Sequence, residues 1–277
     1  MALNFECGKD VVEKVMDIMK KRGSISMDAA FNYKAQNGLR KEVSYRDIDF
    51  LRCLSDSAEI EVVDSIIDYL EKIKIIDHDC NYDKESFSGL KEIVSDKFIV
   101  PSTAITPLMA RLLYMLSSVK KPDFLLAIGI SYGYTFVWNV GPAAMNQQKA
   151  PGKMMGIDID SKSVEIAKKN FSNFKNHANI DVIAQDGLKT LDEITQKIDY
   201  LYLDADNMEI GKGLYLELLR KAYPKLAKGA WVLAHDVTFY FFTEQLKEYL
   251  EFVRNKKYFS ESICLDVDPY GLELSVK

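Results

Sequence analysis

From about residue 100 onward the chain repeats one pattern: a short, mostly apolar run, a turn, then a stretch with helical spacing. The runs are Phe124-Leu125-Leu126-Ala127-Ile128, Met154-Met155-Gly156-Ile157, Ile180-Asp181-Val182-Ile183-Ala184, Ile198-Asp199-Tyr200-Leu201-Tyr202-Leu203 and Ala230-Trp231-Val232-Leu233-Ala234. Strands that are apolar along their whole length are buried on both faces, and the segments between them supply the covering helices, notably 161–170 and 214–226. The pattern predicts an α/β fold: a Rossmann-like, doubly wound, mostly parallel sheet. Residues 258–267 and 272–276 read as two last strands, an antiparallel hairpin at the sheet edge.

The preceding part reads differently. With 277 residues, about two domains are expected. Residues 1–98 are mainly helical in pattern and 99–277 carry the sheet. Val11, Val12, Val15, Met16 and Met19 share one helical face, as do Val62, Val63, Ile66, Ile67 and Leu70, with Ser57 as a candidate cap of the second helix. The alternating stretch Lys72-Ile73-Lys74-Ile75-Ile76-Asp77 suits a short strand, and helices followed by a strand give the first domain a winged-helix-like outline. A role in dimerisation or in covering a substrate is expected for it. The helical stripe Leu108, Met109, Leu112, Leu113 and Leu116 opens the second domain, and Pro122 ends it.

Charge narrows the partners. Lys and Arg number 36 against 41 Asp and Glu, a net −5. No nucleic-acid partner is expected, since such proteins carry a basic stripe. No apolar run reaches the roughly 18 residues that cross a bilayer, and the start lacks signal-peptide character, so the chain is expected in the cytoplasm without a membrane partner. Cys7, Cys53, Cys80 and Cys264 form no C-x-x-C pair and read as reduced, mostly buried thiols.

In a doubly wound sheet, ligands sit beyond the carboxyl ends of the strands. After the first run comes Gly129-Ile130-Ser131-Tyr132-Gly133-Tyr134-Thr135, a glycine turn opening a helix, whose unpaired N–H groups and dipole suit a polar ligand. After the second come Asp158, Ile159 and Asp160; an acid there suits a ribose diol. Gln185-Asp186-Gly187, Asp204-Ala205-Asp206-Asn207 and His235-Asp236 follow the other three. One acid after a strand is ordinary helix capping. Acids after four successive strands, with a glycine turn after the first, mark a site.

Taken in order, these motifs resemble a class I S-adenosylmethionine (SAM) methyltransferase, over nearly two-thirds of the chain. The match is closest to the small-molecule O-methyltransferases that include the catechol and caffeoyl-CoA enzymes. The first motif resembles 126–135, the ribose motif 156–160, the adenine-side motif 185–187 and the metal-site strand 202–206, while 228–233 matches the turn into the fifth strand. The resemblance implies SAM as cofactor and a small-molecule substrate, methylated at a hydroxyl oxygen by a homodimer. It assigns the methionine end to Gly129, Ser131, Gly133 and Tyr134, the ribose to Asp158 and Ile159, and the adenine side to Asp186 and Gly187. Asp204 would sit at the cofactor's edge.

Three departures matter. Ala127 stands where an acid commonly precedes the first glycine. Asn207 replaces the lysine that serves as base in metal-dependent relatives. Val237 replaces the asparagine that completes the metal site, leaving Asp204 and Asp236 as ligands should Mg be held. A hard cation wants about six oxygens, so metal-independent transfer is expected, with His235 as base and Asp204 and Asp236 orienting it or the substrate. Lys212 could replace the missing lysine, though a solvated lysine at a helix start is the plainer reading. A catalytically inactive SAM-fold binding or regulatory protein is one alternative. Another is an α/β-hydrolase-like Ser131/Asp204/His235 triad, since Gly129-Ile130-Ser131-Tyr132-Gly133 fits G-x-S-x-G. Against the hydrolase stand the helical segment before that turn, the lack of an oxyanion loop, and the unused Asp158 and Asp186. A nicotinamide enzyme lacks its full glycine pattern.

Overall fold

The computed structural model describes residues 48–52, 54–145, 152–174 and 179–277. The helix expected around residues 11–19, together with Cys7 and Cys53, lies outside the described residues. Among the described residues three helices come first: α1 (Ile48–Arg52), α2 (Asp56–Lys72) and α3 (Lys84–Lys97). Then follow α4 (Pro107–Lys120), β1 (Phe124–Ile128), α5 (Tyr134–Ala144), β2 (Lys153–Asp158), α6 (Ser161–Phe171), β3 (Ile180–Ala184), α7 (Gly187–Glu193) and β4 (Ile198–Leu203). The chain closes with α8 (Leu214–Ala222), β5 (Leu226–His235), α9 (Thr243–Val253), β6 (Glu261–Leu265) and β7 (Leu272–Val276).

The seven strands form one sheet in the order β3-β2-β1-β4-β5-β7-β6. β1 to β5 are parallel, and β7 runs antiparallel between β5 and β6. Strand side chains alternate in direction, and this splits the core in two. Leu125 and Ala127 face one layer with α2–α6, while Phe124, Leu126 and Ile128 face the other with α7–α9. The doubly wound sheet with its antiparallel edge is as the apolar runs predict. Order reverses between β1 and β4, so the loops after these strands diverge and leave a crevice.

Two local expectations in the first hundred residues are corrected. The cap of α2 is Ser55, whose hydroxyl accepts from Ala58 N–H, and Ser57 lies inside the helix. Residues 73–77 form no strand. α2 ends in a reversal in which Ile75 N–H donates to Leu70 O and Lys74 takes a left-handed φ of 61°. The isoleucines of this reversal are drawn onto the core, and the strand that a winged-helix outline needs is a helix stop. Cys80 and Cys264 are partly buried free thiols.

The helices of 56–97 share the core of the sheet layer. An ion cluster pins them: Arg111 of α4 is fully buried, its Nε donates to Glu59 at 3.0 Å and its Nη2 to Asp56, and its guanidinium lies 4.2 Å from the Phe87 ring centre. Breaking such a buried pair from one side typically costs about 3–5 kcal/mol.

Candidate active site

The loop after β1 is shaped by what it must avoid. Gly129 has φ 88°, and a Cβ there would come within 2.4 Å of the Ala205 backbone nitrogen in the loop after β4. A side chain at 129 would therefore force the two loops apart. Gly133, at φ 78°, caps α5 against the Phe171 ring. Between them Ser131 takes a left-handed φ of 47° and donates its N–H to Asp158 Oδ2 at 2.7 Å. Asp158 Oδ1 accepts from Asp160 N–H at 2.9 Å. The acid after β2 thus fixes the glycine loop, while each carboxylate oxygen retains a lone pair for a ligand hydroxyl. Asp160 caps α6 and Asp186 caps α7, the ordinary use of an acid after a strand.

Two cavities open at the carboxyl ends of the strands. The larger, about 800 Å³, is lined by Gly129, Ser131, Asp158, Ile159, Asp186 and Gly187 among others. The smaller, about 480 Å³, is lined by residues 101–105, Tyr134, Lys212, His235, Asp236, Phe239, Phe242 and Tyr270. Gly129, Ser131, Asp204 and Asp206 line both, so the cavities meet at these four residues. Of the residues singled out from sequence, Tyr134 falls in the smaller cavity, and Gly133 lines neither. The larger cavity fits a nucleoside of the SAM type: an acid after β2, a side-chain-free crossing at Gly129, and the end of α7 beyond.

At the junction stands a cluster of two acids and two bases. Lys212, 3% exposed, donates its ammonium to Asp204 Oδ1 at 2.7 Å and to Asp204 O at 3.2 Å, and lies 2.9 Å from Asp236 Oδ2. His235 Nδ1 lies 3.3 Å from Asp236 Oδ1 and 3.6 Å from Asp204 Oδ1. The opposite ring nitrogen, Nε2, is buried without a hydrogen-bond partner. Asp236 holds its position with a left-handed φ of 67°, a conformation that aspartate tolerates better than most L residues. Burial would lower the His235 imidazole, but Asp236 and then Asp204 outweigh it and raise it to about 9. Burial would likewise raise Asp204, yet Lys212 and His235 hold it at about 2. Lys212 is raised by the same two carboxylates against the pull of burial. At neutral pH the ring is therefore mostly an imidazolium, and the neutral form that the expected base needs is the minor one.

Lys212 is also a correction. The plain reading made it solvated, but it is buried by the turn that Asn207 builds. Asn207 Oδ1 accepts from Glu209 and Ile210 N–H, and the chain then reverses through Gly211. Gln245 of α9 accepts from Lys212 N–H, and the Tyr215 and Phe242 rings flank the ammonium at 5.3 and 5.7 Å. Asn207 thus serves the loop, and the lysine absent there stands five residues later.

Asp204, His235 and Asp236 offer ligand atoms within 4.8 Å of one another, so a divalent cation must be considered. The donor set does not fit it. The ammonium of Lys212 fills the place between both carboxylates, Val237 offers no oxygen, and a nitrogen replaces a third oxygen ligand.

Residues 77–243 match the family model described as O-methyltransferase. Among solved structures, the chain resembles an O-methyltransferase from Bacillus cereus in complex with SAH (16% identity, 76% of this chain and 96% of that one, TM-score 0.54). It also resembles the O-methyltransferase TomG from Streptomyces achromogenes, involved in tomaymycin synthesis, in complex with SAM (19% identity, 76% and 95%, TM-score 0.52). A third is the SAH-bound methyltransferase PaMTH1 from Podospora anserina (14% identity, 78% and 94%, TM-score 0.54). At these identities the likeness is one of fold. No curated protein matches the chain.

Proposed function

The chain belongs to the O-methyltransferase family and is a SAM-dependent methyltransferase; on that premise we propose that it methylates a hydroxyl of a small molecule without a divalent metal, using His235 as general base. The observation that carries the reading is the imidazole in the lining of the smaller cavity, beside the junction, with Nδ1 turned to two carboxylates and a buried Nε2 that has no hydrogen-bond partner among the described residues. An acid on one ring nitrogen fixes the tautomer and leaves the other nitrogen for the substrate.

Gly129, Ser131, Asp158, Ile159, Asp186 and Gly187 would hold SAM, which would supply the methyl group, with the thioether of SAH as leaving group. The acceptor sits in the smaller cavity, walled by Phe239, Phe242, Tyr134 and Tyr270. Its oxygen must face the methyl where the cavities meet, by Asp204 and Asp206. His235 Nε2 takes the hydroxyl proton as oxygen attacks, and Asp236 and Asp204 stabilise the imidazolium that forms. A base near 9 is well matched to a phenol near 10. The aromatic walls and the base agree on a phenolic acceptor.

The N-terminal residues 1–98 are read as the cover of the acceptor cavity and as part of a homodimer in the cytoplasm. Residues 101–105, which closely follow that segment, line the cavity. Among the described residues no helix is long and apolar enough to cross a membrane. The test of the reading is His235→Ala assayed with phenolic acceptors and SAM. Turnover should fall at least about a hundredfold, within the usual range for a general base, while SAH affinity by calorimetry stays near wild type. Turnover near wild type would overturn it.

A further inference from the structure

We infer that Lys212 takes the place of the divalent cation in this chain: its ammonium holds Asp204 and Asp236 together and neutralises them, so that the pair can orient His235. The inference deepens the metal-independent reading above and rests on it for the role of His235.

The geometry is that of an occupied cation site. An ammonium has three N–H donors. Three oxygens surround this one: Asp204 Oδ1 at 2.7 Å, Asp204 O at 3.2 Å and Asp236 Oδ2 at 2.9 Å. Two hydrogen bonds go to Asp204 and the ion pair to Asp236 takes up the remaining side of the ammonium, so Lys212 is a positioning residue. The two carboxylates come from the ends of β4 and β5, in a buried junction where their mutual repulsion would be costly without a cation between them. Asp236 divides its oxygens between the two bases, Oδ2 to Lys212 and Oδ1 to His235 Nδ1, whereas Asp204 Oδ1 lies beside both.

The placement of the lysine is itself built. Gln245 receives its N–H, the Tyr215 and Phe242 rings flank the charge, and a Cβ at Gly211 would come within 2.1 Å of Gln245 Oε1. A side chain at 211, where φ is 54°, would press on the Gln245 carboxamide that receives the Lys212 N–H. A flexible side chain on four carbons thereby becomes a fixed charge, which a divalent ion could enter only by displacing it.

Binding of Mn²⁺ to the full chain, followed by electron paramagnetic resonance, tests this without any turnover. Wild type should leave the spectrum of the aquo ion unchanged. Lys212→Ala should bind Mn²⁺ at least about tenfold more tightly than wild type, with a matching loss of the free-ion signal. Lys212→Gln is measured beside it, since it fills more of the space without charge and should also gain the site. Lys212→Arg keeps the charge and should, like wild type, bind none. Circular dichroism identifies the folded variants. If wild type binds Mn²⁺ as tightly as the folded uncharged variant, or if that variant binds none, the inference is wrong. The readout is independent of His235→Ala turnover, so the base could fail while the fixed cation stands, and the reverse.

Discussion

Arg111 and Lys212 are both buried cations, 0% and 3% exposed, and each lies between two carboxylates. Around Arg111, the partners Glu59 and Asp56 come from one helix, Tyr82 adds its hydroxyl, and Phe87 covers the plane. The cluster lines neither cavity and joins helices to helices. Around Lys212, the partners come from two strand ends where the sheet order reverses. One is held in a left-handed backbone conformation, and the neighbouring imidazole keeps an unpartnered nitrogen. Burial and charge alone do not mark a site. What separates the two clusters is a buried, unsatisfied polar atom on a residue that lines a cavity, at the strand edge where such folds place their ligands.

The contrast predicts different losses. Arg111→Ala leaves the buried Glu59 with Lys91 at 3.4 Å as its remaining cation, and should destabilise the chain by up to about 3–5 kcal/mol, lowering Tm by several degrees in calorimetry. Activity per folded molecule should be close to wild type. A similar Tm with lost turnover would merge the two clusters into one functional unit.

Asp158→Ala should be milder and confined to the other cavity. Losing a charge-assisted hydrogen bond to the ribose should cost about 1.5–3 kcal/mol, or ten- to a hundredfold in SAH affinity by calorimetry. The thermal stability of the unliganded chain should change much less than in Arg111→Ala. An unchanged affinity would remove Asp158 from the cofactor site.

The smallest effect separates a fixed ammonium from a metal. With no ion to chelate, a catechol should have no large advantage over the corresponding monophenol, and the two should agree in kcat/KM to within about tenfold. A catechol favoured by far more would restore a chelating ion to the site.

Much of this was legible from residue order. The strand ends could be placed because four of the five apolar runs are buried on both faces, the exception being the edge strand β3, and with them Asp158, Asp204 and His235. Lys212 was missed for a physical reason. Its burial depends on the Asn207 turn and on Gln245, which lies 33 residues away along the chain. A lysine at a helix start looks solvated until the long-range partner is placed. The aromatic run from Phe239 to Phe242 is a signal in the sequence that could have located the acceptor wall. At 72–77, alternation mimicked a strand, because a helix stop that drops isoleucines onto a core produces the same spacing. Asp160 and Asp186 show that acids after strands also serve as helix caps, Asp186 while lining the larger cavity.

The central claim is that His235, raised by two carboxylates and working without a metal, removes the acceptor's proton. Its most direct test is kcat/KM against pH for chelator-treated enzyme with a phenolic acceptor. The neutral form is the base, and with a pKa of about 9 it makes up roughly 1% of the enzyme at pH 7. Activity should rise close to tenfold per pH unit from about 7, then level off near 9, with full activity retained in the chelator. A profile already level at pH 7, or activity lost to the chelator and regained with magnesium, would contradict the account.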